Sequence, residues 1–154
     1  MGIQTALLQK LEIIMTTQIT NIEQFIAKHF NENSSDYIVT EAKFLNSFLK
    51  RLVDLGFSLV SANDGEERHS IEKNDRFAML DIIFSVDESS ITLTSNNNER
   101  VVLSIILGNG DATPIYDHSA MSDDLEKTIF SEFAKSVKSH SESLYEMNWT
   151  GYAA

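Results

Sequence analysis

The sequence predicts an α+β fold, a single domain in which an antiparallel sheet of four or five strands is covered on one face by helices. Three observations predict this fold. Apolar residues recur every three or four positions near both ends of the chain, which is typical of amphipathic helices. Shorter segments between the ends alternate or run apolar as strands do, and glycine turns separate them. A domain of 154 residues can also bury a core without disulfides.

The segment at residues 101–107 reads Val-Val-Leu-Ser-Ile-Ile-Leu, which is too short and too rich in β-branched side chains to favour a helix. We interpret it as the central strand of the sheet. Gly108, Asn109 and Gly110 follow, and an Asn-Gly pair beside strand-forming residues predicts a two-residue type I′ turn. The chain therefore turns back. Pro114, which has no N–H to donate, places the returning strand at an edge or marks its start.

The charge of the chain is strongly negative, with 12 Lys and Arg against 23 Asp and Glu and a net charge of −11. Residues 56–121 carry most of it, with four positive and eleven negative side chains. Such a surface repels nucleic acid and attracts basic proteins, so we expect no direct contact with nucleic acid. The absence of cysteine excludes thiol catalysis and Cys-ligated metal centres. No apolar run approaches about 18 residues and the start lacks a basic flank, so we expect no membrane contact, no secretory leader and a cytoplasmic location.

An apolar stripe along residues 7–30 predicts an N-terminal helix. Thr20 with Glu23 has the form of a capping box, so one long helix and two helices that break near Thr20 both fit the pattern. Met15 can be a natural start, which would make residues 1–14 an upstream extension. The helix can also pair with a second copy, and a structural homodimer through it is one hypothesis for the function.

Two further helices are predicted before the middle of the sheet. Thr40 caps the first, which ends at Gly56, because glycine suits the left-handed conformation that follows a helix. Residues 76–86 fit both the helical and the strand period. We favour the helix there, with Asn74 or Asp75 as its cap.

The remaining strands and the last helix follow from local patterns. Residues 57–62 and 68–71 are predicted strands joined at Asn63-Asp64-Gly65, and residues 90–95 form another. Ser122 caps the last helix. Its buried stripe is predicted to contain Leu125, Ile129, Phe133, Val137, His140 and Leu144, and the tail at 146–154 is expected to be loose.

A pattern of acidic turns and capped helices runs from Gly56 to about Phe130. It consists of a strand with an acidic glycine turn, a capped helix ending in Ser-x-Asp-Glu, and a strand that enters a Gly-Asn turn followed by a Tyr-Asp pair. The matching residues are Gly56-Phe57, Asp64-Gly65-Glu66-Glu67, Asn74-Asp75, Ser85-Val86-Asp87-Glu88, Leu93, 102–107, Gly108-Asn109-Gly110 and Tyr116-Asp117. In this pattern the chain resembles a group of small proteins encoded by phages and mobile elements. That group usually has the order Asp-Tyr, and a glycine or tryptophan before the central strand, which this chain lacks. The resemblance implies a helix at 76–86 and an association with phage biology.

Acidic side chains stand at the turns of the predicted sheet. The candidate partner-binding residues are Asp64, Glu66, Glu67, Asp87, Glu88, Asp111 and Asp117. Because no catalytic or cofactor signature accompanies them, we favour a non-enzymatic interaction protein without a cofactor. Its acidic region would engage a basic protein surface, such as the nucleic-acid site of a host defence nuclease that it would inhibit.

The alternative is a metal-dependent binder or hydrolase that uses Asp111, Asp117 and His118, since histidine and carboxylates together hold metals and move protons. Against it, Asp117 and His118 can instead cap the final helix or bind the neighbouring backbone. Glu67 and His69 pose the same choice, between a cation site and an exposed acidic hairpin tip. His29, near the end of the first helix, is predicted to meet that helix's C-terminal carbonyls.

Overall fold

A computed structural model describes residues 19–108 and 114–140 of the chain, with the side chain of His140 excepted. In chain order, the described elements are α1 (Ile22–His29), α2 (Asp36–Asp54), β1 (Ser58–Asn63), β2 (Arg68–Ser70), α3 (Arg76–Ile83), β3 (Glu88–Thr94), β4 (Arg100–Ile106), β5 (Ile115–His118) and α4 (Asp123–His140). The five strands form one antiparallel sheet, which confirms the predicted α+β fold.

The sheet has the order β2-β1-β3-β4-β5. The strand at the centre is therefore β3, and the prediction that residues 101–107 are the central strand was wrong. β4, which contains most of that segment, lies one place towards the β5 edge. The run of branched residues is typical of an interior strand, and β4 is one. Its position in the sheet order depends on α3, after which the chain enters β3 on the side of β1 opposite to β2.

One face of the sheet supplies the core. Buried residues alternate along β4, where Val101, Leu103 and Ile105 are inaccessible to solvent and the residues between them are half-buried. Leu59 lies opposite Leu93, and Ile91 lies opposite Leu103, so the apolar side chains of adjacent strands share a face. The helices cover this face, as predicted.

The two long helices, α2 and α4, pack against each other through aromatic rings. The ring of Phe133 on α4 meets those of Phe44 and Phe48 on α2 edge to face, with centroids 5.7 and 5.1 Å apart. All three side chains are fully buried. The predicted stripe of α4 is confirmed at its described positions Leu125, Ile129, Phe133 and Val137, while His140 and Leu144 lie outside the described side chains.

A second aromatic cluster joins α1 to α3. The fully buried ring of Phe25 lies 6.4 Å from Phe77 and 5.8 Å from Phe84, and it stacks on His29 at 4.2 Å. The Nε2 atom of His29 lies 2.7 Å from an oxygen of Asp81 on α3. The predicted contact between His29 and the carbonyls of its own helix end was therefore wrong, and the imidazole lies beside a carboxylate of the neighbouring helix instead.

Two helix starts differ from the prediction by one and five residues. Asn21, rather than Thr20, caps α1 and accepts a hydrogen bond from the N–H of Gln24. Ser35, rather than Thr40, caps α2. Asn21 directly follows the predicted Thr20 and Ser35 precedes the predicted Thr40, and these two residue types cap helices at least as well as threonine does.

The ambiguous segment at 76–86 is confirmed as a helix. Its first eight residues form α3, and Asp75 caps it by accepting from the N–H of Ala78. The helix stops at Ile83, and the Ser85 hydroxyl donates to the Ile82 carbonyl in the turn that follows. Gly56 (φ +98°) and Ser122 stand at the predicted end of α2 and start of α4.

Residues 100–118 fold back as an antiparallel pair, as predicted. Ile105 lies opposite Ile115, and Ile106 donates to the carbonyl of Pro114. The pairing shifts register between Ser104 and Ile105. The predicted two-residue turn at Asn109-Gly110 lies outside the described residues.

Candidate protein-binding surfaces

The turn between β1 and β2 is built around Asp64. One of its carboxylate oxygens accepts hydrogen bonds from the backbone N–H groups of Glu66 and Glu67, at 2.9 and 2.8 Å. The backbone N–H of Asp64 donates to the carbonyl of Glu67, and Gly65 takes a φ of +99°. A short acidic side chain that satisfies backbone donors explains why the chain turns at this point.

The electrostatics of Asp64 follow from these contacts. The backbone hydrogen bond from Glu67, followed by contacts with His69 and Glu66, lowers the pKa of Asp64 to about 2. Its second oxygen lies 3.0 Å from Nε2 of His69. Asp64 is therefore ionised at neutral pH. Its charge is engaged within the turn, whereas the side chains of Glu66 and Glu67 are exposed.

The register of β1 against β3 brings a second acidic segment to this turn. Asn63 lies opposite Ser90, so the chain beyond Asn63 and the chain before Ser90 leave the sheet at the same end. Asp87 and Glu88 occupy that position and both are exposed. The carbonyl of Asp87 accepts from Leu107 at 2.9 Å, which fixes this segment to the end of β4. We call this end of the sheet the acidic end; it comprises Asp64, Glu66, Glu67, Asp87 and Glu88.

Two of the predicted partner-binding residues do not belong to the acidic end. Asp117 lies opposite Ser104 on the edge strand β5, on the other side of β3 and β4 from the turn of Asp64. Asp111 lies outside the described residues. The structure therefore brings together five of the seven predicted acidic residues, because the turn after β1 and the segment before β3 lie at the same end of the sheet.

Asp117 and His118, the described part of the predicted metal site, point away from each other. Asp117 shares a face with Ser104, whereas His118 shares a face with the buried Leu103, because adjacent residues of a strand alternate. Nδ1 of His118 lies 2.8 Å from the carbonyl of Ser119, and its ring lies 5.4 Å from that of Phe130. Asp117 accepts from the N–H of His118 at 2.9 Å. Both side chains thus bind neighbouring backbone, as the second interpretation of this pair predicted.

Metal-binding geometry is not found elsewhere in the described part of the chain. Within residues 19–108 and 114–140, no three side chains among His, Asp and Glu converge on a point where they could hold an ion. At the hairpin tip, His69 is engaged with Asp64, and Glu66 and Glu67 project into solvent.

A groove between β5 and α4 was not predicted from the sequence. Its volume is about 1040 Å³. Tyr116, Asp117 and His118 form one wall, and α4 forms the other from Asp123 to Lys138. We call it the β5–α4 groove. The only sequence signal for it is Tyr116, a large side chain that alternation places on the exposed side of its strand, where 56% of its surface is accessible.

A buried carboxylate on α2 is the second feature that the sequence analysis missed. Glu41 is 2% exposed, and burial raises its pKa to about 7 even though a hydrogen bond from the backbone N–H of Gly108 lowers it. A signal was present in the sequence, because Glu41 precedes Phe44 and Leu45 by three and four residues and so lies on the apolar stripe of α2. Glu41 fixes the start of the connection from β4 to β5 beside the acidic end.

The fold and its surfaces define an α+β domain with acidic residues at one end of its sheet and a charged groove beside the edge strand β5. No protein-family model, curated protein or solved structure matches the chain. Of the helices that the structure describes, none has the length and apolar character to cross a membrane.

Proposed function

We propose that the protein is a non-enzymatic binding protein whose acidic end engages a basic surface on a protein partner. The observation that carries the proposal is the register of Asn63 opposite Ser90, which joins two acidic segments that are about twenty residues apart in sequence. Neighbouring strands lie about 4.8 Å apart, so the two segments leave the sheet one to two strand spacings from each other, a separation comparable with the Debye length of about 8 Å at physiological ionic strength. Their fields therefore add.

The positive charge within these segments is small. Across residues 63–69 and 87–89, Arg68 is the one permanently positive side chain, and its Nε donates to Ser61. His69 is engaged with Asp64. Four exposed carboxylates, those of Glu66, Glu67, Asp87 and Glu88, are left facing solvent. Grouped carboxylates of this kind repel one another in the free protein, and a cationic partner relieves that repulsion on binding.

A basic protein surface complements this arrangement. Nucleic-acid sites of nucleases are rich in Lys and Arg, and an acidic protein can occupy them by mimicking the phosphate charge. The resemblance to proteins of phages and mobile elements supports a host defence nuclease as the partner, with this protein acting as its inhibitor in the cytoplasm. On this proposal the domain supplies a rigid sheet end, and the turn geometry of Asp64 sets the spacing of the charges.

The experiment is affinity capture from native host lysate with three baits. The first is the natural chain, and the second is the acidic-end variant Glu66→Gln/Glu67→Gln/Asp87→Asn/Glu88→Gln. The third is a matched control that removes the same number of charges at exposed positions on other parts of the chain, Glu23→Gln/Glu32→Gln/Asp54→Asn/Glu72→Gln. We expect a basic protein with the natural chain and the control, and its loss with the acidic-end variant. Equal capture by all three baits, or no basic protein with any of them, contradicts the proposal.

A further inference from the structure

The β5–α4 groove has charges of opposite sign at its two ends. His118, at the end of β5, packs on Phe130, and only residues 119–122 separate it from the start of α4. The end of the groove at the start of α4 is acidic, because Asp117, Asp123, Asp124 and Glu126 line it and Lys127 is the one cation among them. Asp123 and Asp124 are exposed there, in the first turn of the helix.

The other end of the groove is basic. Lys135 and Lys138 line it, and both are exposed. They follow Asp123 by 12 and 15 residues on a continuous helix, which places them roughly 18–22 Å along its axis. Lys135 is within 3.1 Å of Glu132, whose other oxygen lies 3.5 Å from Arg51, so Glu132 is shared between two cations and leaves this end positive.

A two-fold rotation exchanges the acidic and basic ends of the β5–α4 groove. The midpoint of the charged span on α4 falls at Phe130 and Ser131, and an axis through it brings the acidic end of one copy onto the basic end of another. An interface of this kind is isologous, because the same patch of each subunit contacts its counterpart. The groove is thus complementary to itself, whereas a partner of one charge sign would meet repulsion at one end.

We infer that a second copy of this chain docks in the β5–α4 groove, with Asp123 and Asp124 of each copy against Lys135 and Lys138 of the other. Side chains, rather than a continuous strand ladder, make the contact. Pro114 has no N–H, and the N–H of His118 is already bound by Asp117, so this edge is a poor template for pairing. The exposed side chain of Tyr116, which lines the groove, adds apolar area to the contact.

Analytical ultracentrifugation of the full chain over a concentration series tests the inference. We expect a monomer–dimer equilibrium that weakens as salt rises, since the facing charges are exposed. Two variants each place like charges at both ends of the groove: Asp123→Lys/Asp124→Lys and Lys135→Glu/Lys138→Glu. Each alone should weaken the dimer by about tenfold or more, and an equimolar mixture of the two should restore it as a heterodimer.

The control is Lys28→Glu/Lys43→Glu, which makes the same change in net charge as Lys135→Glu/Lys138→Glu but at exposed positions on α1 and α2. It should dimerise like the natural chain. If circular dichroism shows that a charge-reversal variant is unfolded, the neutral pair Lys135→Gln/Lys138→Gln replaces it and should still weaken the dimer. A monomer at all concentrations in low salt overturns the inference. So does a dimer that groove variants leave unchanged, which would assign the contact to another surface such as the N-terminal helix. The acidic-end variant leaves this equilibrium intact, so the two proposals fail independently.

Discussion

Glu41 accepts a hydrogen bond from the backbone N–H of Gly108 at 2.9 Å, across 67 residues of sequence. The contact fixes the α2 helix to the end of β4, beside the acidic end of the sheet. It is also the one described case in which a carboxyl is almost fully removed from water, with 2% of Glu41 exposed. Because burial disfavours the ionised form, this residue couples the stability of the fold to pH.

The first prediction concerns Glu41→Gln. Burial raises the pKa of Glu41 from 4.5 to about 7, so between these values the folded protein holds a proton that the unfolded chain has lost. The contribution of the group to the free energy of unfolding is present below pH 4.5 and is lost as pH rises through 7. We expect the natural chain to lose up to about 3 kcal/mol relative to the variant over that range. Urea unfolding of both proteins at a series of pH values measures this, and parallel pH profiles would show the account of Glu41 to be wrong.

The second prediction compares alanine at two glycines that have nearly the same positive φ. Gly56 and Gly65 have φ of +98° and +99°. A Cβ added at Gly56 would lie 3.2 Å from Cβ of Asn96, whereas a Cβ added at Gly65 would have no neighbouring atom within 4 Å. Strain alone should cost Gly65→Ala about 1–2 kcal/mol. Gly56→Ala should lose roughly 1 kcal/mol more, because the contact with Asn96 is tight. Equal losses in urea unfolding would mean that the chain near Asn96 moves aside freely.

The third prediction concerns the order of the contacts that act on Asp64. The backbone hydrogen bond from Glu67 is the largest single cause that lowers the pKa of Asp64 to about 2, and the hydrogen bond with His69 is the second. His69→Ala should therefore raise that pKa only part of the way to the ordinary value of 3.8. The stability contributed by Asp64 is present above 3.8 and is lost as pH falls through 2. Carbon NMR titration of the Asp64 carboxyl in both proteins measures the pKa, and a return to the ordinary value in the variant would contradict this order.

The fourth prediction concerns the attachment of α1. Phe25 is the only residue of this eight-residue helix that is fully buried, and its ring contacts those of Phe77 and Phe84 on the α3 side. Phe25→Ala should lower the free energy of unfolding by about 3–5 kcal/mol. Hydrogen exchange should show lost protection in α1 while α2 keeps its own. Ile26→Ala, at a half-buried position on the same helix, serves as the control and should have a smaller effect. Uniform loss of protection in both helices would contradict a local role for Phe25.

Local elements were predictable because local residues determine them. Asp75 and Ser122 cap helices where the sequence offers a cap before an apolar stripe, and Gly56 ends α2 where a positive φ is needed. The acidic turn at Asp64 was predictable for the same reason, since its hydrogen bonds reach only to Glu67 and His69.

Relationships between distant segments were not predictable. The sequence does not show that β1 pairs with β3, and that pairing alone makes one surface of the turn at Asp64 and the segment at Asp87. The β5–α4 groove arises in the same way, from the packing of His118 on Phe130. Strand order and the assembly of surfaces depend on long-range contacts that a periodic pattern does not encode. A charged residue on the apolar stripe of its helix, such as Glu41, is the one local sign of such a long-range contact.

The central claim is that the acidic end binds a cationic protein surface, and the salt dependence of the purified complex tests it most directly. Titration calorimetry of the captured partner at ionic strengths from low to above physiological gives the affinity at each. We predict that affinity falls steeply with salt for the natural chain and for the Glu23/Glu32/Asp54/Glu72 control, and that the acidic-end variant binds weakly with a shallow dependence. An affinity that is independent of salt, or a variant that binds with the same affinity and the same salt dependence as the natural chain, would contradict the claim.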